Sequence, residues 1–462
     1  MDIAYDLAAY AANIRYEDLP KSAVEATKRD LFDSLSTGIA GSSAMGIEQL
    51  RKVAASHGGN GQASTFVFGD AFPAPVAAGI NTTMIHGYDY DDTHDTAMMH
   101  SGCIITGCAL AAAELKGTVD GRTLITAITA GLDVHVRLSL ATTVGIVECG
   151  WVYTPLFGIY GGVAAAGRVL GLNQDEMLNA FGIAYGQTAG NYQAITDSAW
   201  TKRMQPGFAS RAAVEACELA REGVIGAHNV FEGKYGLYKI YLNNRYDREV
   251  AIRDLGKVYL HETMALKPWP CGRPSQPPIG CALELKEKYQ PDHTRITAVD
   301  VWMNAHLLSS GCEPKETRNH PKQVVDGQFS IPYGVACALV DGRVGLKDFT
   351  EEAVKREDVL RICALVQGHV DEEIEAHYHA KVCPIRMKVT MEDGTVHEHY
   401  MEYTLGCEEK PMTEKGKMEK MEDCIGAAAL QIPKERALVI RREVDDLENL
   451  TDVGILIRAM IA

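Results

Sequence analysis

The chain has 462 residues, of which 46% are hydrophobic and 23% are charged, and these proportions are typical of a globular protein. The formal net charge of −16 excludes nucleic acid as a partner, because a nucleic-acid surface needs clustered basic residues. No run of about 18 residues is apolar and free of charges, so no membrane-spanning segment is predicted.

The N-terminal segment and the cysteines predict a cytoplasmic protein. The segment MDIAYDLAAYAANIRYEDLP carries acids and has no basic region before an apolar run, so it does not resemble a signal peptide. The 12 cysteines form no C-x-x-C pair and no dense disulfide pattern. In a chain of this length, such scattered cysteines indicate reduced thiols.

Helical patterns dominate the first two-thirds of the chain. After Pro20, four apolar residues recur at helical spacing, namely Val24, Leu31, Leu35 and Ile39. Small apolar residues fill 103–115 and 157–170, which predicts helices that pack closely and are buried on all sides. Two further helices are predicted at 175–186, with Asn173 as the N-cap, and at 208–222.

The pattern changes after residue 254. Five prolines crowd one short stretch, which predicts a linker or an active-site loop: Pro268, Pro270, Pro274, Pro277 and Pro278. In residues 296–304 the side chains alternate in polarity and several are β-branched, which predicts a strand. Segments 385–390 and 396–403 flank Glu392-Asp393-Gly394-Thr395, which predicts a hairpin. The residues between these strands have a helical pattern, and a helical pattern is found again at 414–461.

These elements predict a mainly α protein with a smaller α+β domain. The large helical domain is expected to span residues 1–265 and to be completed by residues 405–462. The smaller domain, expected to act as a lid, spans residues 266–404. Ligand clefts commonly form between such domains, so the active site is expected there.

The segment from His86 to His100 is the densest cluster of reactive side chains. Four aspartates and three histidines fall within these 15 residues. Three interpretations are open: a solvated loop that caps the next helix, a metal site, or an acid–base site in which aspartates orient a histidine. A metal site is the weakest of these on sequence, because the spacing matches no standard metal motif.

Several segments resemble the MmgE/PrpD family. The run HGYDYDDTHDTAMMHSG is similar to the family pattern H-x-x-D-F/Y-D-D-T-H, and four later segments follow in the family's order. They are T-K-R-M (201–204), K-P-W-P-C (267–271), Q-F-S-I-P-Y (328–333) and G-R-V-G-L-K-D-F (342–349). The resemblance implies the family's fold, a homodimer, and an enzyme without metal or other cofactor that acts on a small carboxylic acid.

The resemblance also implies which residues form the site. The catalytic candidates are His100, Asp89, Lys202, Lys267 and Tyr333. The candidates for substrate binding are Thr93, Arg203, Arg273, His94 and Tyr153. His100 is the expected base, the lysines and arginines would bind carboxylates, and nearby cations would stabilise enediolate-like charge. Local cations can attract an anion despite the negative net charge, since salt screens distant charges.

Most of these residues also have a structural interpretation. Lys202 and Arg203 could be a surface pair at the start of a helix, and Lys267 could be an ordinary loop lysine. Tyr333 could be a core tyrosine, and His94 could be a capping residue. Histidines that many relatives carry are replaced here by Val152, Gln205 and Gly272, and the proline after the family's site histidine is replaced by Ser101. These departures argue most strongly against decarboxylation of cis-aconitate, and Tyr153 is the expected substitute for a lost proton donor.

Four functions therefore stay open. A hydro-lyase similar to 2-methylcitrate dehydratase is favoured, followed by an epimerase similar to iminodisuccinate epimerase. Decarboxylation is less favoured. A non-catalytic, carboxylate-binding relative is the alternative of a different class, and the missing histidines favour it.

Overall fold

The computed structural model describes residues 1–379 and 381–462 and divides them into two compact units. Unit 1 comprises Met1–Met264 and Met418–Ala462, and unit 2 comprises Ala265–Lys417. Helices dominate the described residues and unit 2 contains a four-stranded sheet. The predicted fold class, mainly α with a smaller α+β domain, is confirmed.

Unit 1 begins with thirteen helices and one short hairpin of strands β1 (Ala63–Ser64) and β2 (Ala71–Phe72). The helices are α1 (Ile3–Asn13), α2 (Lys21–Gly41), α3 (Ile47–His57), α4 (Ala74–Ile85), α5 (Gly102–Lys116), α6 (Gly121–Leu140), α7 (Ile146–Cys149), α8 (Tyr153–Leu170), α9 (Gln174–Tyr185), α10 (Gln193–Thr196), α11 (Thr201–Arg221), α12 (Leu237–Leu242) and α13 (Arg248–Ile252).

Small residues let the central helices of unit 1 approach closely. A Cβ added to Gly131 of α6 would lie 2.8 Å from the carbonyl oxygen of Gly161 in α8, so glycine is required at this crossing. The dense alanine and glycine of α5 and α8 are buried, as predicted. Asn173 caps α9 by accepting N–H bonds from Asp175 and Glu176, and this predicted cap is confirmed.

Helix α6 is long and apolar enough to cross a membrane by length and composition alone. However, 89% of its apolar window is buried inside the protein. It also carries a buried ion pair between Arg137 and Asp133, at 2.7 Å. These features are typical of a core helix.

Unit 2 is built on a mixed sheet of β3 (Ile296–Met303), β4 (Val366–Val370), β5 (Ile385–Met391) and β6 (Val396–Met401), in the order β4-β3-β5-β6. Strands β3 and β4 are parallel and the other neighbours are antiparallel. Seven helices lie between residues 276 and 378, namely α14 (Gln276–Tyr289), α15 (Ala305–Gly311), α16 (Lys315–Arg318), α17 (Val324–Gln328), α18 (Ile331–Asp341), α19 (Glu357–Leu365) and α20 (Glu372–Tyr378). The predicted strand at 296–304 and the predicted hairpin are confirmed.

The proline-rich stretch is only partly a loop. Arg273–Ser275 form a 3-10 turn, and Pro277 and Pro278 lie in the first turn of α14. Proline fits there because the first N–H groups of a helix have no partner within the helix. The prediction of a linker or loop was therefore wrong for its second half.

The chain ends with α21 (Glu414–Gly426), α22 (Arg436–Asp445) and α23 (Gly454–Met460), as the helical pattern predicted. Within unit 1, Lys420 of α21 bonds Asp33 of α2 at 2.6 Å, and both side chains are buried. The carbonyl oxygen of Tyr90 also accepts from Lys420, at 2.7 Å. This ion pair ties the C-terminal helices to the start of the chain.

Candidate active site

The histidine- and aspartate-rich segment forms a buried turn between α4 and α5. His86 is the C-cap of α4, and Asp89 adopts a φ of 52°, a left-handed conformation that aspartate tolerates better than most residues. The carboxylate of Asp92 accepts the N–H of Gly102 at 3.0 Å, at the first residue of α5. Burial raises the pKa of Asp92 well above its usual value, and the carboxylates of Asp30 and Asp91 add to this shift, whereas the N–H of Gly102 opposes it.

Lys202, in the first turn of α11, reaches this turn. Its ammonium group lies 3.0 Å from Nε2 of His86 and forms an ion pair with Asp89. The Lys202 side chain is 13% exposed, whereas that of Asp89 is 2% exposed. The structure therefore brings together Lys202 and Asp89, two of the predicted site residues, around a histidine that was not predicted.

His100 lies beside the same histidine. Its ring centroid is 5.0 Å from that of His86. Nδ1 of His100 is 2.7 Å from the carbonyl oxygen of Asp92, and its backbone N–H donates to Oγ1 of Thr154 at 3.0 Å. Because a carbonyl oxygen only accepts, Nδ1 carries a proton, and in the neutral form of the ring the lone pair is on Nε2. This tautomer suits a general base.

His86 is paired on its other side with Asp91. Nδ1 of His86 is 2.8 Å from Oδ2 of Asp91, and both side chains are buried. Ligand atoms of His86, Asp91 and Cys103 all lie within 4.8 Å of one another, so these residues could approach a metal ion. However, His86 bonds Asp91 and Lys202, and burial together with Asp91 raises the pKa of Cys103 well above its usual value. The arrangement favours hydrogen bonding over metal binding.

Arg203 and Thr93 lie in the same unit but are largely buried. Burial lowers the pKa of Arg203, and the negative charge of Asp89 opposes this shift. The hydroxyl of Thr93 donates to the carbonyl oxygen of Met99 at 3.3 Å. A direct role for either residue in substrate binding stays a prediction.

His94 and Tyr153 are engaged in local structure. Nδ1 of His94 accepts the N–H of Ala97 at 3.1 Å, and Nε2 is 3.0 Å from Oγ1 of Thr263. Burial lowers the pKa of His94. The hydroxyl of Tyr153 donates to the carbonyl oxygen of Val144, and burial raises its pKa. These contacts favour the structural interpretation of His94 and do not favour Tyr153 as a proton donor.

The remaining predicted residues belong to unit 2. Lys267 is fully buried, and Arg273 begins the 3-10 turn. The amide of Gln276 donates to the carbonyl oxygen of Trp269 at 2.7 Å, which holds the loop that Lys267 begins. The hydroxyl of Tyr333 donates to the carbonyl oxygen of Asp348 at 2.7 Å within the core of unit 2, and this favours a packing role.

The positions at which the family resemblance led us to expect other residues make local contacts here. The side chain of Gln205 accepts the N–H of Asn191 at 2.8 Å and donates to its carbonyl oxygen at 3.1 Å. A Cβ added to Gly272 would lie 2.8 Å from the ring of Phe329, so a histidine there needs that ring to move. Ser101, which replaces the expected proline, has its hydroxyl oxygen 2.9 Å from Nδ1 of His135, and both residues are fully buried.

Sequence analysis missed His86 and Asp91 as site residues. Both lie in the motif, but the role of His86 depends on Lys202, which is 116 residues away along the chain. The available signal was a histidine at the start of the motif with an aspartate five residues later.

Comparisons with known proteins cover nearly the whole chain. The cis-aconitate decarboxylase-like protein oryM of Aspergillus oryzae is 26% identical over 99% of this chain and 96% of its own length. Cis-aconitate decarboxylase of Aspergillus terreus is 25% identical over 99% of this chain and 96% of its own length. The 2-methylcitrate dehydratase of Salmonella typhimurium is 27% identical, over 47% of this chain and 45% of its own length. The MmgE/PrpD N-terminal domain matches residues 5–249 and the MmgE/PrpD C-terminal domain matches residues 269–446, so the chain belongs to the MmgE/PrpD family.

Proposed function

We propose that this protein is a lyase that removes a proton next to a carboxyl group of a small di- or tricarboxylic acid, and that the leaving group is water. The observation that carries the proposal is the arrangement of His100 beside His86 and Lys202. It combines a base whose Nδ1 is held by a backbone carbonyl with a lysine that is held against a largely buried turn. These are the two groups that carbanion chemistry at a carboxylate needs.

The residues of unit 1 suggest how elimination proceeds. Nε2 of His100 takes the proton from the carbon next to the carboxylate, and Lys202 offsets the charge that develops on the carboxylate oxygens. The carbon–oxygen bond to the neighbouring hydroxyl then breaks as the double bond forms. The imidazolium of His100 can return the proton to the departing hydroxyl, so that one molecule of water leaves. This route needs no tyrosine as acid, in keeping with the engaged hydroxyls of Tyr153 and Tyr333.

Loss of CO2 is the second candidate, and the comparisons favour it. The relatives that match 99% of this chain are a cis-aconitate decarboxylase and a protein named as similar to one, whereas the dehydratase matches 47%. Against this candidate, Gly272 occupies the position of a decarboxylase histidine and has Phe329 against it. Decarboxylation also needs an acid that protonates carbon, and that histidine is missing.

Incubation with candidate substrates in D2O, followed by NMR, separates the reactions. The panel comprises citrate, 2-methylcitrate, cis-aconitate, tartrate and iminodisuccinate analogues, with heat-denatured enzyme as the control. A new alkene from a hydroxy acid supports the hydro-lyase. CO2 release from cis-aconitate supports the second candidate and contradicts the first.

Two further outcomes would also contradict the proposal. Deuterium at the α-carbon with inverted configuration and no alkene indicates an epimerase. Binding of carboxylates without turnover across the whole panel indicates a non-catalytic relative.

A further inference from the structure

Four side chains of unit 1 form a continuous chain of hydrogen bonds: Asp91, His86, Lys202 and Asp89. Asp91 and His86 are 2.8 Å apart, His86 and Lys202 are 3.0 Å apart, and Lys202 forms an ion pair with Asp89. The side chains of His86 and Asp91 are 2% and 1% exposed, whereas that of Lys202 is 13% exposed. Within this chain, Lys202 is therefore the member best placed to meet a ligand.

The partners determine where the protons lie. An ionised carboxylate only accepts, so Nδ1 of His86 donates to Asp91, and Nε2 has the lone pair that accepts from the ammonium group of Lys202. His86 thus donates to Asp91 and accepts from Lys202, and Lys202 also donates to Asp89. The imidazole is therefore neutral and of one tautomer.

We propose that His86 and Asp91 are positioning residues that fix the ammonium group of Lys202 against a substrate carboxylate. They act through Lys202 and do not contact the substrate. The inference rests on the proposed function, since it assigns to Lys202 the binding of a carboxylate.

The chemistry explains why a histidine is suited to this position. A lysine ammonium group is a point charge on a flexible stem, and two acceptors in fixed places restrict it to one position. A second carboxylate in direct contact with Lys202 would cancel its charge and repel an anionic substrate. A neutral imidazole holds Lys202 without that effect, and it places the negative charge of Asp91 one ring farther away, where its Coulomb interaction is weaker.

Binding of propane-1,2,3-tricarboxylate, measured by calorimetry, tests the proposal. This probe has neither a hydroxyl group nor a double bond, so it cannot undergo elimination. His86→Asn extends only far enough to reach Asp91, and we expect it to raise Kd about tenfold, as loss of a hydrogen bond to a charged group does. His86→Gln places an amide oxygen near the former Nε2 and should stay within roughly threefold of the wild type.

His57→Asn, at the exposed end of α3, is the control and should leave Kd unchanged. Equal losses of affinity in the Asn and Gln variants of His86, with both folded by circular dichroism, would indicate a purely structural role. An unchanged Kd for the Asn variant would also overturn the proposal.

A double-mutant cycle with Lys202→Met tests whether His86 acts through Lys202. We expect His86→Asn to have no further effect on Kd once Lys202 is Met, because the partner that it positions is absent. Additive effects of the two substitutions would mean that His86 contacts the ligand itself or shapes the site independently, and would contradict the proposal.

Nitrogen-15 NMR of histidine-labelled protein tests the proton positions without any ligand. His86 should give the neutral Nδ1–H pattern, and Lys202→Met should shift its Nε2 resonance. If His86 gives an Nε2–H pattern, or if its Nε2 resonance does not shift in Lys202→Met, the positioning role is overturned. If the wild type binds neither this probe nor any carboxylate of the substrate panel but the nitrogen-15 NMR results hold, the proposed function and the role of Lys202 in carboxylate binding both fail, and only the hydrogen-bonded chain is supported.

Discussion

His100 is the side chain on which the proposed chemistry depends most directly. Its Nδ1 is fixed by the carbonyl oxygen of Asp92, so its Nε2 is the basic nitrogen. We expect His100→Gln to lower kcat by ~10²–10⁴-fold, because a glutamine amide cannot accept a proton from carbon. Steady-state kinetics on the substrate that the NMR panel identifies would measure this loss.

His57→Gln serves as the matched control for His100→Gln, since His57 is an exposed histidine of the same unit. Its kcat should equal that of the wild type. A near-normal kcat for folded His100→Gln would remove His100 as the base, and His94 would then be tested by the same substitution.

Cys103 bears on whether activity needs a metal. Its thiol is buried beside Asp91, and burial together with that carboxylate raises its pKa, which favours the protonated form that binds metals poorly. We therefore expect dialysis against EDTA to leave kcat unchanged, and Cys103→Ser to retain activity.

Metal analysis of the purified protein accompanies this kinetic measurement. Loss of activity on dialysis that one added divalent ion restores in the wild type, but not in Cys103→Ser, would contradict the prediction. It would assign His86, Asp91 and Cys103 to a metal site.

At the scale of elements, the buried pair of Lys420 and Asp33 holds the C-terminal helix α21 against α2 within unit 1. Lys420→Met removes one charge of a buried pair, and we expect it to lower the free energy of unfolding by on the order of 3–5 kcal/mol. Adding Asp33→Asn should recover part of this loss, because the remaining buried charge is then removed.

Urea denaturation followed by circular dichroism measures both effects. The control is Lys52→Met on α3, which breaks an ion pair between the exposed side chains of Lys52 and Glu48 and should leave the free energy of unfolding nearly unchanged. A loss for Lys420→Met no larger than that of the control would mean that the pair contributes little to attaching α21.

Sequence patterns predicted elements where local physics decides their form. Asn173 caps α9 with its own side chain, and Glu392–Thr395 turn the chain between β5 and β6, so short-range rules sufficed. Strand β4 was missed, because its five residues include Gly368 and lack a clear alternation. Its position depends on parallel pairing with β3, a long-range contact.

Long-range contacts also limited what could be predicted of the site. Asp89 and Lys202 were predicted from motifs, and the structure brings them into contact. The hydrogen bonds of His86 and Asp91 were not predicted, because which nitrogen of a histidine has a proton depends on partners that only the folded chain supplies. Tyr153 and Tyr333 looked like proton donors in sequence, but a residue's type does not reveal that its hydroxyl already donates to a backbone carbonyl.

At the scale of the whole molecule, two expectations stay predictions: a homodimer and a cytoplasmic location. Sedimentation equilibrium would measure the first. The net charge of −16 makes the binding of a polyanion dependent on local cations, and Lys202 and Arg203 are adjacent cations of unit 1 at the predicted site. We therefore infer that affinity for a tricarboxylate is set by local cations such as these and not by the net charge of the protein.

Stability against pH is a property of the whole fold, and buried histidines give it a definite sign. Burial lowers the pKa of His261 to about 3, and that of His135 likewise to about 3. Their pKa in the unfolded chain is about 6.5, so between these values the unfolded chain binds protons that the folded protein does not. Their contribution to stability is therefore fully present above pH 6.5 or so and is lost as pH falls toward 3.

Comparison with His261→Gln isolates one of these contributions, because buried carboxyl groups such as Asp133, whose pKa is raised by burial, act in the opposite direction. From pH 7 to pH 5, the free energy of unfolding of the wild type should fall by roughly 2 kcal/mol more than that of the variant. Urea denaturation at both pH values measures this difference, and His57→Gln should behave as the wild type does, since His57 is exposed. Parallel pH dependence in the wild type and folded His261→Gln would show that His261 is not held neutral by burial, and water or a proton would then have to reach it in the folded state.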